Sequence, residues 1–354
     1  MFSCYYFVKR INAKVKKLIT IKEMADIVGV SPTTVSNVIH GKTKEVSKET
    51  IEKIKRVIEE YNYVPNMSAR ALAQNSSKII GVIIKYPSLE NRHAVQEPFF
   101  GEISGELEMD IRKAGYFMML YCPEDVEGIL NFATKWNVDG LIMLGIHPND
   151  GERILKLVRK PVVFIDAYLK EAGEDFVNVG LEDEEGAYQV TKYLIEQGHR
   201  RIGFVGNDGI GVDRKRFEGY SRALAEHGIP CSEKDLFLVG LPEERLDDYI
   251  KKIVLREYDY TALFLTSDYY AATAVNFLNA YGMRVPEDIS VAGFDDNLLA
   301  VNMRPKLTTV AQNPSLKGRI AVEQLIKLIN GERPKQKNIR LPIRLVIRDS
   351  VRKI

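Results

Sequence analysis

The sequence has only three cysteines in 354 residues, Cys4, Cys122 and Cys231. An odd number without C-x-x-C spacing argues against a disulfide framework and against a zinc site, and it is consistent with a reducing cytoplasm. No apolar run reaches about 18 residues, so no segment is expected to span a membrane. The first ten residues place aromatics before charges, the reverse of a secretion signal. These absences predict a cytoplasmic protein with no membrane partner, metal or cofactor.

Signatures of an enzyme are also missing. The five histidines lie beside no serine or cysteine motif that would supply a nucleophile and its base. The stretch "GFVGNDGIG" does not match G-x-G-x-x-G, and no phosphate-binding G-x-x-x-x-G-K-[ST] occurs. Asp295 and Asp296 are adjacent, and neighbouring residues beyond a strand usually point apart, so they do not suit an acid/base pair. We therefore expect a protein that is not an enzyme.

What the chain does have is a segregated charge. Residues 1–78 carry 14 Lys+Arg against 7 Asp+Glu, a balance of +7, whereas the remaining residues carry 36 against 41, a balance of −5. The length is sufficient for at least two domains. A basic head on an acidic body predicts a module that binds a polyanion, joined to a second domain. A solvated basic face is the alternative. Residues 1–18 form a basic arm, or an upstream start without structural role.

The basic head has the pattern of a helix-turn-helix. Thr20 with Glu23 forms a capping box before a first helix, Gly29 turns the chain, and Ser31 with Pro32 begins a second helix. A third helix follows Ser47. Two helices joined by a turn of three or four residues are typical of DNA-binding proteins.

The second helix has an exposed polar side. Val35, Val38 and Ile39 share one side and are expected to pack inward, which leaves short polar side chains on the other. Such a side can enter the major groove, while Lys42 and Lys44 can contact phosphates. A three-helix bundle with no DNA role would need the same apolar side, but not the polar one beside a lysine-rich loop.

The segment "VPNMSARALAQNSSK" that follows has a proline, about seven residues of possible helix, and a polar linker. A helix this short is marginal alone and should fold only against a partner. Together with "VSPTTVSNVIHGK" and "VSKETIEKI", it resembles the headpiece and hinge of the lactose/galactose repressor family of bacterial transcription regulators, and the resemblance extends from residue 19 onward. In that family, hinges of two protomers fold side by side on an operator, and the residue matching Leu72 wedges into the minor groove. Packing of Leu72 on the effector core is the alternative.

The resemblance places base reading on Pro32, Thr33 and Asn37. The family often has arginine at the last of these positions, and arginine favours guanine, whereas asparagine suits adenine. The DNA-binding residues predicted from the helix pattern and from the resemblance are Thr20, Ser31, Pro32, Thr33, Thr34, Asn37, His40, Lys42, Lys44, Asn66, Ala69 and Leu72.

From residue 78 onward, short apolar runs alternate with amphipathic helices, which predicts parallel sheets flanked by helices. Two such series, the second beginning at "VNVG", indicate a doubly wound α/β body with two lobes, like the periplasmic sugar-binding proteins that the family's effector domain resembles. The predicted boundaries are a headpiece at 19–64, a hinge helix and linker at 65–77, and a two-lobed effector-binding and dimerisation domain at 78–354. Its first lobe spans about 78–178 and 313–337, and its second about 179–312 and 338–354.

Ligands of open α/β sheets bind beyond the carboxyl ends of strands, where several polar residues of this chain fall. Carboxylates and a guanidinium converging on a cleft suit the hydroxyls of a polyol. The predicted effector-binding residues, in part implied by the resemblance, are Phe99, Phe100, Asp166, Arg216, Ser267, Asp268 and Asp295. Ser267 replaces a frequent asparagine. Phe100 could instead belong to a helix core, and Asp296 could cap a turn.

A transport-type sugar-binding protein would share this body but would need an export signal and no headpiece. The sequence therefore predicts a cytoplasmic, dimeric, ligand-responsive transcription regulator, most simply a repressor of carbohydrate-utilisation genes, that binds a pseudopalindromic double-stranded DNA operator. The expected effector is a sugar or a sugar phosphate. Its identity, whether it releases or promotes DNA binding, and whether a phosphocarrier protein takes part are left open.

Overall fold

The computed structural model describes residues 19–39, 41–63, 76–85, 94–169, 176–231, 235–239 and 245–354. The chain divides into two compact units, 1–74 and 75–354. The predicted basic arm and most of the predicted hinge lie outside the described residues. Among the residues that are described, no helix is long and apolar enough to cross a membrane.

The first unit contains three helices: α1 (Ile21–Val28), α2 (Pro32–Ile39) and α3 (Lys48–Glu60). The Thr20 hydroxyl accepts the Glu23 amide at 3.2 Å, and the Glu23 carboxylate accepts the Thr20 amide at 2.8 Å. Ser31 and Ser47 each accept the amide of the residue three positions on, at 3.1 and 3.2 Å. These bonds satisfy donors that a helix start leaves free, and they confirm the three predicted caps.

One apolar core joins the three helices of this unit. It contains six fully or nearly fully buried side chains on the inner faces: Met24, Ala25, Val35, Val38, Ile54 and Val57. Gly29 has φ +74° and ends α1, so the turn into α2 uses a backbone conformation that other residues adopt only with strain. The core fixes which side of α2 is left outside.

The second unit is built from parallel strands and intervening helices. The strands are β1 (Ile79–Ile84), β2 (Phe117–Tyr121), β3 (Gly140–Leu144), β4 (Val162–Ile165), β5 (Phe176–Leu181), β6 (Ile202–Gly206), β7 (Leu236–Leu238), β8 (Ala262–Leu265), β9 (Ser290–Ala292), β10 (Thr309–Ala311), β11 (Asn338–Leu341) and β12 (Arg344–Val346). The helices are α4 (Pro98–Lys113), α5 (Val126–Lys135), α6 (Pro148–Leu157), α7 (Asp183–Glu196), α8 (Val212–Glu226), α9 (Leu246–Val254), α10 (Asp268–Ala280), α11 (Leu298–Asn302) and α12 (Pro314–Ile329). A short 3-10 turn, Ala94–Gln96, precedes α4.

Ten of these twelve strands form two sheets, one in each lobe. The first lobe has a six-stranded parallel sheet with the order β11-β5-β4-β3-β1-β2, and the second has a four-stranded parallel sheet with the order β7-β6-β8-β9. The four inner strands of the first lobe, β1, β3, β4 and β5, are almost completely buried, as expected for a sheet covered by helices on both faces. The predicted two-lobed, doubly wound architecture is confirmed.

The predicted lobe boundaries were wrong at two crossings. Strand β5 pairs with β4, and β11 pairs with β5, so residues 179–181 and 338–341, which the prediction placed in the second lobe, belong to the first. The apolar run of β5 looks like any other buried strand, and only its pairing partners determine which sheet it joins. The chain therefore leaves the first lobe after Leu181. Strands β10 and β12 form an antiparallel pair of their own near the crossings.

The first strand of this unit is tied down at its start. The Asp139 carboxylate, just before β3, accepts hydrogen bonds from the Ser76 hydroxyl at 2.5 Å, the Ser77 amide at 2.8 Å and the Lys78 amide at 3.1 Å. The Ser77 hydroxyl donates a further bond at 2.9 Å. These bonds hold the pKa of Asp139 below its ordinary value despite partial burial. The residues that enter the second unit are thus fixed to its central strands.

The C-terminal segment is attached through a buried histidine. His199 Nε2 lies 3.1 Å from the Arg352 carbonyl oxygen, and Nδ1 lies 3.0 Å from the Thr261 hydroxyl. Because a carbonyl can only accept, Nε2 carries a proton, and in the neutral ring Nδ1 can accept from the Thr261 hydroxyl, which also lies 3.3 Å from the Arg201 carbonyl oxygen. Neutral His199 thereby satisfies both neighbours.

Acidification below about pH 6.5 is expected to destabilise the protein, in part through His199. Burial lowers the pKa of His199 below its ordinary value of 6.5, so the unfolded chain takes up this proton at a higher pH than the folded chain does. The free energy of unfolding therefore decreases as pH falls through 6.5. Urea denaturation at pH 7.5 and 5.5 measures the difference. This difference in the free energy of unfolding should be smaller in His199→Gln than in the wild type, and it should be unchanged in the control His227→Gln. An equal pH dependence in the wild type and both variants would show that His199 does not contribute to it.

Candidate functional site

The polar side of α2 lies opposite the headpiece core. Ser31, Pro32 and Thr33 are exposed at the start of the helix, and Asn37 is half-buried one turn later. Val35, on the other side, is completely buried. An exposed helix whose first residues carry short polar groups can approach base edges in a major groove.

The remaining DNA-binding candidates fall into three groups. Thr20 and Thr34 are engaged in helix caps, and the Thr34 hydroxyl lies 2.9 Å from that of Ser31. Lys42 and Lys44 are exposed in the loop between α2 and α3, where phosphates could lie. Four candidates lie outside the described residues, so their roles stay predictions: His40, Asn66, Ala69 and Leu72.

A cleft of about 1230 Å³ lies in the second unit, at the carboxyl ends of strands of both lobes. Residues directly after strands β1, β4 and β6 line it, namely Lys85, Asp166 and Asn207. This is the location where open parallel sheets bind ligands. Six of the seven predicted effector residues line this cleft: Phe99, Phe100, Asp166, Arg216, Ser267 and Asp295.

The seventh residue, Asp268, lies behind the cleft. It is completely buried, and its carboxylate accepts bonds from the Thr309 hydroxyl at 2.6 Å and from the Asn297 amide at 3.0 Å. Burial raises its pKa to about 7. The prediction of an effector contact is corrected here: Asp268 follows Ser267 at the start of α10, and the two side chains leave the backbone in different directions. Asp268 instead holds the loops around β9 and β10 together.

Arg216 is a buried cation with fixed partners. Its Nε and Nη2 both donate to Oδ1 of Asp183, at 2.9 and 2.8 Å, and Nη1 donates to the Thr266 carbonyl. The guanidinium lies 3.5 Å from the centre of the Phe294 ring. Asp183 also accepts from the Tyr168 hydroxyl, which reaches it from the first lobe. Arg216 therefore lines the cleft with a guanidinium whose position is fixed by these contacts.

A second set of hydrogen-bonded side chains connects the two lobes. Lys317 donates to both oxygens of Asp166, at 2.9 and 2.7 Å, and to the side-chain oxygen Oε1 of Gln312 at 2.8 Å. Gln312 in turn donates to Oδ1 of Asp295 at 2.6 Å. Asp166 follows β4 in the first lobe and Asp295 follows β9 in the second, so the positions of these two carboxylates are linked.

Both cleft aspartates have an unusual backbone. Asp166 has φ +56° and Asp295 has φ +127°, a range that residues with a side chain seldom adopt. Such conformations cost on the order of 1–3 kcal/mol each and are concentrated at functional sites. Both residues line the cleft, Asp166 directly after β4 and Asp295 three residues after β9.

The cleft carboxyls are poorly solvated. Burial raises the pKa of Glu97, and burial together with the charge of Asp268 raises the pKa of Asp295 well above its ordinary value. A ligand that donates hydrogen bonds to these oxygens favours their ionised form and so offsets part of the desolvation. Within the described residues, no cluster of His, Cys, Asp or Glu side chains has the arrangement of a metal site.

The other three predicted effector contacts, Ser267, Phe99 and Phe100, also have structural roles. Ser267 caps α10, because its hydroxyl accepts the Tyr270 amide at 3.2 Å. Phe99 and Phe100 meet edge to face at 5.5 Å, and both also pack against the core. They thus form an apolar wall and a structural contact at the same time.

Sequence reasoning missed three polar residues that hold the site: Lys317, Gln312 and Asp183. Lys317 could have been found, since it falls in the apolar stripe of α12 with Pro314, Ala321 and Leu325, where a charge needs a buried partner. Asp183 lies in an acidic helix start and carries no such signal.

Two family models match the chain. Residues 20–66 match "Bacterial regulatory proteins, lacI family". Residues 191–351 match a "Periplasmic binding protein-like domain".

Relatives match nearly the whole chain. The HTH-type transcriptional regulator MalR of Clostridium butyricum is 32% identical over 340 residues, which cover 93% of this chain and 98% of MalR. The HTH-type transcriptional repressor PurR of Haemophilus influenzae (strain PittEE) is 34% identical over 346 residues, 95% of this chain and 99% of PurR. A solved complex of the transcriptional regulator CelR with cellobiose has a TM-score of 0.70 and 28% identity, and the match covers 94% of this chain and 99% of CelR.

Proposed function

Because the chain belongs to the lacI family of bacterial regulatory proteins, we propose that it is a repressor of carbohydrate-utilisation genes that responds to a sugar bound in the cleft. The observation that carries this proposal is the pairing, in one chain, of an exposed polar recognition helix with a cleft built from carboxylates and a guanidinium. Since operators lie on the chromosome, its proposed place of action is the cytoplasm.

The DNA-binding side of the proposal depends on the headpiece. The exposed residues Pro32 and Thr33 and the half-buried Asn37 occupy the part of α2 that would enter a major groove. An asparagine side chain can accept from adenine N6 and donate to N7, so Asn37 would favour an adenine. Lys42 and Lys44 would contribute affinity for phosphates, which depends on salt and carries no sequence information.

Replacing Asn37 by alanine is expected to weaken specific operator binding by about 1–3 kcal/mol and to flatten the base preference at one position. Binding selections with random DNA, followed by titration of the selected site, would measure both effects. Asn131→Ala, an exposed asparagine on α5 of the second unit, is the matched control and should leave both unchanged. Retained preference at every position would show that Asn37 faces phosphate or solvent.

We also propose that the protein acts as a homodimer. Strand β2 is an edge of the six-stranded sheet, and it carries exposed apolar side chains, with Phe117 64% exposed. In the second lobe, Leu298 on α11 is 76% exposed. Exposed apolar surface beside an open sheet edge favours association with another copy. Two headpieces held in this way would recognise a pseudopalindrome with half-sites about one helical turn apart.

The ligand side of the proposal depends on the lobes. A polyol held by Asp166 of the first lobe and by Arg216 and Asp295 of the second would favour one relative arrangement of the lobes. A ligand can shift such an equilibrium only by its difference in affinity for the two arrangements, typically about 1–3 kcal/mol.

The test uses the full-length protein. A sequence selected from random DNA is titrated with and without glucose, maltose, cellobiose and ribose. A selected operator whose affinity changes with one of these sugars supports the proposal. Binding that shows no sequence preference would overturn it.

A further inference from the structure

Lys317 is a completely buried cation that lies behind the wall of the cleft and does not line it. All three of its ammonium donors are used, two by the oxygens of Asp166 and one by the Gln312 carbonyl oxygen. The ammonium also lies 5.1 Å from the centre of the Phe99 ring. Three of the groups that line the cleft are therefore held by one side chain.

The lysine also determines which way Gln312 faces. An ammonium can only donate, so the Gln312 oxygen must face Lys317 and its amide NH₂ must face away. That NH₂ donates to Asp295 at 2.6 Å. An apolar residue at position 317 would leave the Gln312 amide free to turn over and Asp166 without its counter-ion. Lys317 thus orders acceptors in both lobes.

The ordered groups offer acceptors to a ligand. Asp166 accepts from Lys317 and Asp295 accepts from Gln312, and each carboxyl has lone pairs beyond those used in these bonds. A hydroxyl group donates to such oxygens, whereas a phosphate dianion has no proton to donate. The cleft groups that Lys317 orders therefore suit a hydroxyl-rich ligand.

The charge of the cleft points in the same direction. Among the described residues that line it, six are acidic and two carry a permanent positive charge: Glu97, Glu124, Asp166, Asp208, Asp213 and Asp295 against Lys85 and Arg216. Both of these cations are already paired, Lys85 with Asp150 at 2.9 Å and Arg216 with Asp183 at 2.8 Å. His147 also lines the cleft, and its Nδ1 accepts the Asn149 amide at 3.2 Å. Protonation of a cleft carboxyl would remove negative charge but would add no cation. A phosphate group would meet like charge in a poorly solvated site.

We propose that Lys317 is a positioning residue that fixes Asp166 and Gln312 for an uncharged, hydroxyl-rich effector, and that the cleft discriminates against phosphorylated forms of the same sugar. This inference rests on the proposed function, because it takes the cleft to be the effector site. It decides between the two effector classes that the sequence leaves open.

The first experiment is calorimetric titration of the full-length protein with glucose, maltose and cellobiose, each compared with its 6-phosphate. At least one uncharged sugar should bind, and its 6-phosphate should bind at least about tenfold more weakly, a difference of about 1.4 kcal/mol. Binding of a 6-phosphate as tight as that of its parent sugar, or binding of none of the uncharged sugars, would overturn the inference.

The second experiment separates positioning from folding. Lys317→Met should lower both the melting temperature and the affinity for the sugar that binds, because it leaves Asp166 buried without a counter-ion. The double variant Lys317→Met with Asp166→Asn removes the unpaired charge, so it should recover most of the melting temperature, while its sugar affinity should be at least about tenfold below that of Asp166→Asn alone, which keeps the lysine. Lys327→Met, on the exposed side of α12, is the control. Equal sugar affinity in the double variant and in Asp166→Asn would contradict the positioning role.

The two proposals fail in different ways. Titration of selected operator DNA accompanies both experiments. A protein that binds its operator but none of the uncharged sugars keeps the proposed regulator and overturns this inference alone. A protein without any preference among DNA sequences overturns the proposed function, whatever it binds in the cleft.

Discussion

Arg216→Ala is expected to lower the free energy of unfolding of the second unit by about 3–5 kcal/mol and to abolish the response to sugar. Among the described residues, the substitution leaves the buried Asp183 carboxylate with Tyr168 as its remaining polar side-chain partner, and it removes the donor to the Thr266 carbonyl. An uncompensated buried charge costs much more than the loss of an exposed ion pair. Chemical denaturation measures the first effect, and operator titration with sugar measures the second.

Two further variants make this prediction specific. Arg214→Ala, two residues earlier on α8, removes an exposed arginine whose distance to Glu218 is 3.6 Å, and it should cost less than about 1 kcal/mol. Arg216→Met with Asp183→Asn removes both charges, so it should recover stability but not the response to sugar. If the double variant still responds to sugar, Arg216 is not part of the effector site.

Gly219→Ala is expected to destabilise the protein by about 1–3 kcal/mol or more, although it adds only one methyl group. Helices α7 and α8 are in contact at this glycine, and a Cβ there would lie 1.9 Å from the Glu184 carbonyl oxygen. Backbone atoms cannot turn aside as a flexible side chain can, so the two helices must separate. The ion pairs between Arg222 and Glu184 and Glu185 cross the same contact and would be strained as well.

The control for this substitution is Gly105→Ala on α4. A Cβ at Gly105 meets no atom within 4 Å, so alanine there should stabilise the helix by about 0.5–1 kcal/mol. Thermal denaturation of both variants tests the pair. Equal melting temperatures for Gly219→Ala and the wild type would show that α7 and α8 can separate at little cost.

The local structure could be predicted because its signals are local. The capping box at Thr20, the caps at Ser31 and Ser47, and the alternation of apolar runs with amphipathic helices each depend on residues a few positions apart. Helix α12 and the segment β7 to α9 were not identified as elements. The lobe assignment of β5 could not be predicted, since its apolar run could join either the sheet before it or the sheet after it, and only its pairing with β4 and β11 determines which.

Those parts of the site that depend on residues close together in the sequence could also be predicted. Asp166 and Asp295 follow apolar runs, and the rule for open sheets places them in the cleft. The partners that orient them, Lys317 and Gln312, come from another part of the chain. The direction of a side chain at a helix start depends on tertiary contacts, and for this reason Ser267 reaches the cleft and Asp268 does not.

The positive φ angles of Asp166 and Asp295 have a consequence for laboratory evolution of this protein. Glycine adopts such angles without penalty, but Asp166 is the counter-ion of the buried Lys317, so a selection for heat resistance alone should enrich glycine at position 295 and keep Asp166. The change would also remove a desolvated carboxylate from the loop after β9. The enriched variants would be more stable and would not respond to sugar, because in the proposed function Asp295 contributes to the response at the expense of stability.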